Sequence, residues 1–237
     1  MKKTPIKTKL SAFTLIELLV VIAILGILMS LMFPQINNAL QNANATKLGN
    51  NGMNIVKAIV QENIVRDSNS RGTIWPSKNA NFFGKVDYTA AANSERYFSD
   101  LIQSQALENM SWSIFSGAGV PAARDKTEFE GGGYNAWSMI AGLDENAQDD
   151  TPFIFSRNFD ITISDIQGEN PSPLNGKFLA DVRPFGNSRV VFVQKGTGMQ
   201  VQRAKDLADP LLFLFGSTFN DKTNAAAKVV QAKGVKE

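Results

Sequence analysis

The chain of 237 residues contains no cysteine and no histidine. Those two absences exclude a disulfide framework, a thiolate nucleophile and a zinc site of the Cys/His kind. They also exclude a Ser-His-Asp triad and a histidine general base. Any acid–base chemistry is left to carboxylates, lysine or tyrosine. A marked excess of either charge is lacking too. Lys and Arg number 24 against 22 Asp and Glu, a net charge of +2. That balance is neither that of a strongly basic nucleic-acid binder nor that of a disordered acidic chain, and no nucleic-acid partner is expected. With 43% apolar residues the chain can bury a core, and its length suits one domain or slightly more.

The net charge hides an asymmetry. Lys2, Lys3, Lys7 and Lys9 stand in the first nine residues with no acid among them. Without these four, 20 basic residues face 22 acidic ones, a charge of −2. The basic character belongs to a leader, residues 1–12, and not to the body.

An apolar run of 21 residues follows, from Phe13 to Phe33. As a helix it spans roughly 30 Å, the thickness of a bilayer core. The lysines precede it, and the next basic residue is Lys47. The positive-inside rule therefore puts residues 1–12 in the cytoplasm and everything after Pro34 outside. Three plainer readings compete. A secretory signal peptide has a shorter apolar stretch, and the A-x-A site Ala43-Asn44-Ala45 lies far beyond the run. A plain signal anchor fits the length. A core helix of a soluble protein does not fit an apolar run behind four lysines. None of the three accounts for Glu17, the one charge inside the span. A carboxylate near the middle of a membrane helix costs roughly 2.5–3.5 kcal/mol, less toward an end. Nothing else in the span looks able to pair with it, so a partner is expected from another chain or from a new terminus.

The segment Ser11-Ala12-Phe13-Thr14-Leu15-Ile16-Glu17-Leu18-Leu19-Val20-Val21-Ile22-Ala23-Ile24 resembles the prepilin cleavage and methylation motif of type IV pilins and type II secretion pseudopilins. The resemblance covers about residues 1–40. It implies a membrane prepilin peptidase that cuts between Ala12 and Phe13 and methylates the new amine of Phe13. Glu17 then becomes the fifth residue of the mature chain. Gly26 and Pro34 fall where the family often has a helix glycine and a kinking proline. The family nearly always has Gly before the cut, and here Ala12 stands there, which implies slower processing. The new Phe13 amine of one subunit could pair with Glu17 of the next, each buried charge neutralising the other. The implied protein is a non-enzymatic structural subunit of a pilus or secretion pseudopilus. Its expected home is the bacterial inner membrane, then a periplasmic or cell-surface filament. The expected partners are the peptidase, other subunits, the inner-membrane assembly platform and the lipid bilayer. The alternative is a minor pilin, or an anchored binding or adhesion protein outside the filament body.

Beyond Pro34 an amphipathic pattern resumes. Ile36, Leu40, Ala43 and Leu48, then Met53, Val56, Val60 and Ile64, recur at helical steps. One helix is expected from about 13 to 65, with residues 13–34 in the membrane or filament core and 35–66 as its amphipathic continuation. It should be kinked near Pro34 and weakened at Gly49-Asn50-Asn51-Gly52. The implied fold class is α+β, a long helix whose C-terminal half packs on a small antiparallel sheet.

Residues 67–215 read as the globular region. The stretch 67–81 reads as a loop, and Asn93-Ser94 as the cap of a helix over 95–105. Residues 117–133 read as a flexible connection, and 134–143 as a short apolar element of open type. Strands are expected at 153–156 and 159–163. The clearest hairpin joins 189–194 to 199–202. Leu211 to Phe215 is another apolar run, and 216–237 reads as a loose tail.

Few residues here suggest chemistry. Asp144, Glu145, Asp149 and Asp150 form the densest oxygen-ligand cluster. Calcium is the ligand to consider, since some pseudopilins bind it in a loop of this region, but the spacing is not that of an EF-hand. A solvated acidic loop is the plainer reading, and no other cofactor is expected. Gly131 to Gly133 lack the Lys-Ser/Thr of a phosphate loop. Trp75, Trp112 and Trp137 read as core or contact anchors more readily than as a binding platform. Asp160, Asp165 and Glu169 have no spacing that demands hydrolytic chemistry.

Overall fold

The structure, a computed structural model, describes residues 14–107, 110–166, 174–208 and 227–235. The chain divides into two units, residues 1–42 and 43–237. Its elements are a long apolar N-terminal helix and small antiparallel sheets, the α+β arrangement of a pilin-like fold.

Helix α1 runs from Leu15 to Ser68, 54 residues. Residues 14–42 of the first unit hold its start and its most apolar part. Pro34 lies inside α1 and does not end it. The proline withholds the N–H that the Ser30 carbonyl would otherwise receive. Ser30 itself turns its hydroxyl back to the Ile27 carbonyl, 2.7 Å away, which spares it a polar contact with an apolar surround.

In the second unit, the rest of α1 packs on a sheet of five antiparallel strands in the order β6-β5-β4-β3-β7. These are β3 (Trp137–Ala141), β4 (Pro152–Ser156), β5 (Arg189–Gln194), β6 (Met199–Arg203) and β7 (Lys228–Val230). Every residue of β3 and β4 is buried, as central strands covered on both faces must be. The run Val190-Val191-Phe192-Val193 makes β5 nearly as apolar. A separate two-stranded ribbon joins β1 (Ala80–Asn81) to β2 (Lys85–Val86).

The buried face of α1 is Ala45, Leu48, Gly49, Gly52, Ile55, Val56, Ala58 and Ile59. It is turned from the expected stripe. Leu48 and Val56 are shared, Met53 and Val60 are only half-buried, and Ile64 is exposed. The two glycines explain the shift. A Cβ on Gly49 would overlap the Met199 side chain. One on Gly52 would lie 2.7 Å from Val193 Cγ2 and 2.8 Å from Trp137 Cη2. The expected weak point is therefore where helix and sheet approach most closely. The glycines cost helix propensity and gain contact area.

Helix α2 (Glu95–Gln103) buries Tyr97, Phe98 and Leu101. Tyr97 stacks edge-on against Tyr88, Phe82 and Phe153, and Phe98 meets Phe115 at 5.0 Å. Trp75 joins this group through Phe153. Each fully buried ring contributes roughly 1.5–3 kcal/mol of transfer free energy. Ser94 is the N-cap residue, as expected, but its hydroxyl makes no cap bond. It donates to the Trp137 carbonyl at 2.8 Å and so ties the helix start to β3.

Four expectations need correction. The connection 117–133 contains a helix, α3 (Lys126–Gly131), whose N-cap Asp125 accepts from the Glu128 N–H at 2.9 Å. The stretch 67–81 ends in strand β1. The strand expected at 159–163 is not one. Phe159 makes a single bridge to Phe178, and Thr162 with Asp165 caps the short helix α4 (Ile163–Ile166). That Thr-x-x-Asp pattern outweighs the β-propensity of the isoleucines. The segment 216–237 is not loose throughout, since Lys228–Val230 pair with β3 as an outer strand. Few large apolar residues suffice there because Val230 and Ala232 are buried and the side chains of neighbouring elements hold the backbone. The apolar run at Leu211–Phe215 lies outside the described residues.

Candidate functional site

The first candidate is the start of α1. Thr14 and Glu17 form a reciprocal capping box. The Glu17 carboxylate accepts from the Thr14 N–H and hydroxyl, both at 2.8 Å. The Glu17 N–H reaches back to the Thr14 hydroxyl at 3.3 Å. A carboxylate in the first turn also faces the positive end of the helix dipole. This corrects the expectation that the span offers Glu17 no partner. The Thr-x-x-Glu spacing of a capping box is the local sequence signal for this pair. Both groups stay exposed, so the pair remains within reach of a further cation.

The side chains around it form a continuous apolar surface. Leu15 is 88% exposed, Phe33 68%, and Leu18 through Met32 are similarly open. A helix apolar all round is covered by lipid or by other helices. Among the described residues it is the one helix long and apolar enough to cross a membrane. Among the described residues a Cβ on Gly26 would meet nothing within 4 Å. The glycine leaves a notch on the open surface. Ala12 and Phe13 lie outside the described residues.

The second candidate is the acidic loop between β3 and β4. Asp144, Glu145, Asp149 and Asp150 do not converge. Among the described residues no group of three or more acidic side chains could hold a metal ion. Asp144 instead accepts from the Asn146 N–H at 2.9 Å as a local turn. The loop closes on Lys195, in the turn from β5 to β6. Lys195 Nζ donates to the carbonyls of Glu145 at 2.9 Å and Ala147 at 2.6 Å. The same ammonium lies 5.3 Å from the centre of the Trp75 ring. Burial lowers its pKa from the ordinary lysine value, and the charges of Asp149, Asp144 and Glu145 oppose that shift. Among the described residues the four acids thus offer calcium no group of three side-chain ligands.

The other sequence candidates resolve into structural roles. Asp165 bonds Thr162 and pairs with Lys177 at 2.8 Å. Glu169 lies outside the described residues. Trp75 and Trp137 are core residues and Trp112 is half-buried against Phe129, 4.9 Å away, so the three form no exposed platform.

Sequence reasoning missed a buried carboxylate, Glu95. It accepts from the Lys233 N–H at 2.9 and 3.0 Å through its two oxygens. Burial raises its pKa, and the Lys233 amide opposes that effect. Its place in the first turn of an amphipathic helix gave no hint, because its partner is 138 residues away.

A family profile described as the prokaryotic N-terminal methylation motif matches residues 8–33. No curated protein and no solved structure matches the chain.

Proposed function

We propose that this chain, which carries at residues 8–33 the signature motif of type IV pilins and pseudopilins, is a structural subunit of a type IV pilus or a type II secretion pseudopilus. It performs no catalysis. Prepilin peptidase cuts between Ala12 and Phe13 and methylates the Phe13 amine. The subunit waits in the inner membrane as a single span, with residues 1–12 in the cytoplasm and the second unit outside. The assembly platform then draws it into a filament whose core is the apolar helix.

The observation that carries this reading is the coincidence of the motif with an exposed apolar helix bearing one carboxylate at its first turn. In a bundle of such helices the Phe13 amine of a neighbour meets Glu17 and neutralises it. The pairing favours one axial register over the rest. Gly26 and Pro34 adapt the helix surface and backbone to that packing.

N-terminal analysis of the membrane-extracted protein tests the processing step. A mature chain beginning at methylated Phe13 is expected, and one still beginning at Met1 refutes it. Electron microscopy of sheared surface filaments, with mass spectrometry of their contents, tests the rest. Abundant protein supports a main subunit and trace amounts a minor one. None favours an anchored binding protein outside the filament.

A further inference from the structure

The acidic loop lies against the β5–β6 turn with almost no slack. The Gly196 N–H donates to the Asp149 carbonyl at 2.8 Å, and the Lys195 N–H to the Thr151 carbonyl at 2.9 Å. The Gln194 amide adds a bond to the Asp150 carbonyl at 3.0 Å. A Cβ at Gly196 would sit 2.5 Å from Asp149 Cβ. Into this fold of backbone also comes the Lys195 side chain, only 7% exposed. Among the described residues its ammonium forms no ion pair with a carboxylate. It takes two main-chain carbonyls and the face of a tryptophan. Carbonyl oxygens wrapped round a positive point charge, with acidic residues behind them, are how a loop binds a small hard cation.

We propose that the 144–151 loop is a cation site whose occupant is the chain's own Lys195 ammonium. The tethered charge holds the Glu145 and Ala147 carbonyls inward and so shapes the β3–β4 connection. Asp144, Glu145 and Asp149 supply the field that keeps a charge in place, and none of them needs to touch it. Beside the loop runs a cavity of about 530 Å³ lined by Trp75, Glu145, Asp149 and Lys195, among others. Once the lysine side chain is removed, that cavity gives a small primary ammonium a path to the vacated carbonyls.

The test is amide hydrogen exchange on the full chain in detergent, comparing wild type with Lys195→Met and Lys195→Ala. Methionine keeps the length of the side chain and removes the charge and the donors. In Lys195→Met the amides of Thr151 and Gly196 should exchange roughly tenfold faster or more, as expected when a charge-assisted clamp is lost, while β3 and β4 stay protected. Adding ethylammonium to Lys195→Ala should restore the slow exchange. Tetramethylammonium, which cannot donate, should not. Loop protection in Lys195→Met equal to wild type overturns the proposal. If that variant loses protection throughout, the Lys195→Ala experiment decides. Restoration by ethylammonium alone upholds the site, and failure to restore, or equal restoration by tetramethylammonium, overturns it.

Discussion

Glu17 and Thr14 hold each other across the first turn of α1, with two donors of Thr14 on one carboxylate oxygen at 2.8 Å. The single subunit therefore meets part of the cost of an acid in an apolar helix. What the capping box does not supply is an opposite charge. Helix start and filament contact can share one side chain, since a carboxylate oxygen accepts more than one hydrogen bond.

The two roles separate by substitution. Thr14→Ala should fray the first turn, at about 1 kcal/mol, and leave Glu17 charged and available. Filaments should still form. Glu17→Ala should insert in the membrane normally but leave each neighbouring amine buried without its counter-charge, a loss of roughly 3–5 kcal/mol against assembly. Sheared-filament yield, with membrane fractions as the control, reads both. Equal yields from Glu17→Ala and wild type would dismiss the charge pair.

Gly52→Ala should destabilise the second unit, although alanine is the better helix former. The new methyl would collide with Val193 and Trp137, and overpacking of this kind costs about 1–3 kcal/mol. Gly26→Ala, on the open surface, should instead leave thermal unfolding unchanged or slightly improved. Thermal melts of the full chain in detergent distinguish the two.

Residues 228–237 should not be dispensable. Removing them strips β7 from β3, leaves Glu95 buried without the Lys233 amide, and frees the Ser138 hydroxyl, which donates to Gln231 at 2.6 Å. Each orphaned buried group costs about 1–3 kcal/mol, more when charged. Lower yield and a lower melting temperature are expected. A truncated chain as stable as the full one would return the segment to a passive tail.

Glu95 makes a pH prediction whose sign follows from its raised pKa. A folded-state pKa above the unfolded value means the folded chain binds the proton more tightly. Its contribution to stability is then fully present below the ordinary glutamate value, about 4.3, and is lost as pH rises through the raised folded value. Glu95→Gln, which stays neutral, should lack that slope. Denaturant melts of both proteins across this window should show wild type losing stability relative to the variant as pH increases. Parallel curves would mean that the Lys233 bond offsets burial fully.

Legibility followed the range of the interactions. The motif at the N-terminus, the apolar span and the hairpin of β5 and β6 all rest on neighbours within a few residues, and these could be read. The strand expected at Phe159–Ile163 failed because a local cap at Thr162 competed with β-propensity. The placement of β7, by contrast, depends on Ser94, Glu95 and Ser138, a hundred or so residues distant.

By itself the amino-acid sequence determined the membrane-length helix, its lone carboxylate and the methylation motif, because hydropathy and short spacings are properties of a contiguous segment. Only the tertiary structure decided what the glycines and the acidic loop are for. Gly49 and Gly52 look like flaws until Met199, Val193 and Trp137 are brought against them. Four acids look like a metal site until Lys195 is seen to fill the loop with its own ammonium. Close packing and buried charge depend on which distant segments meet, and the chain has to fold before they do.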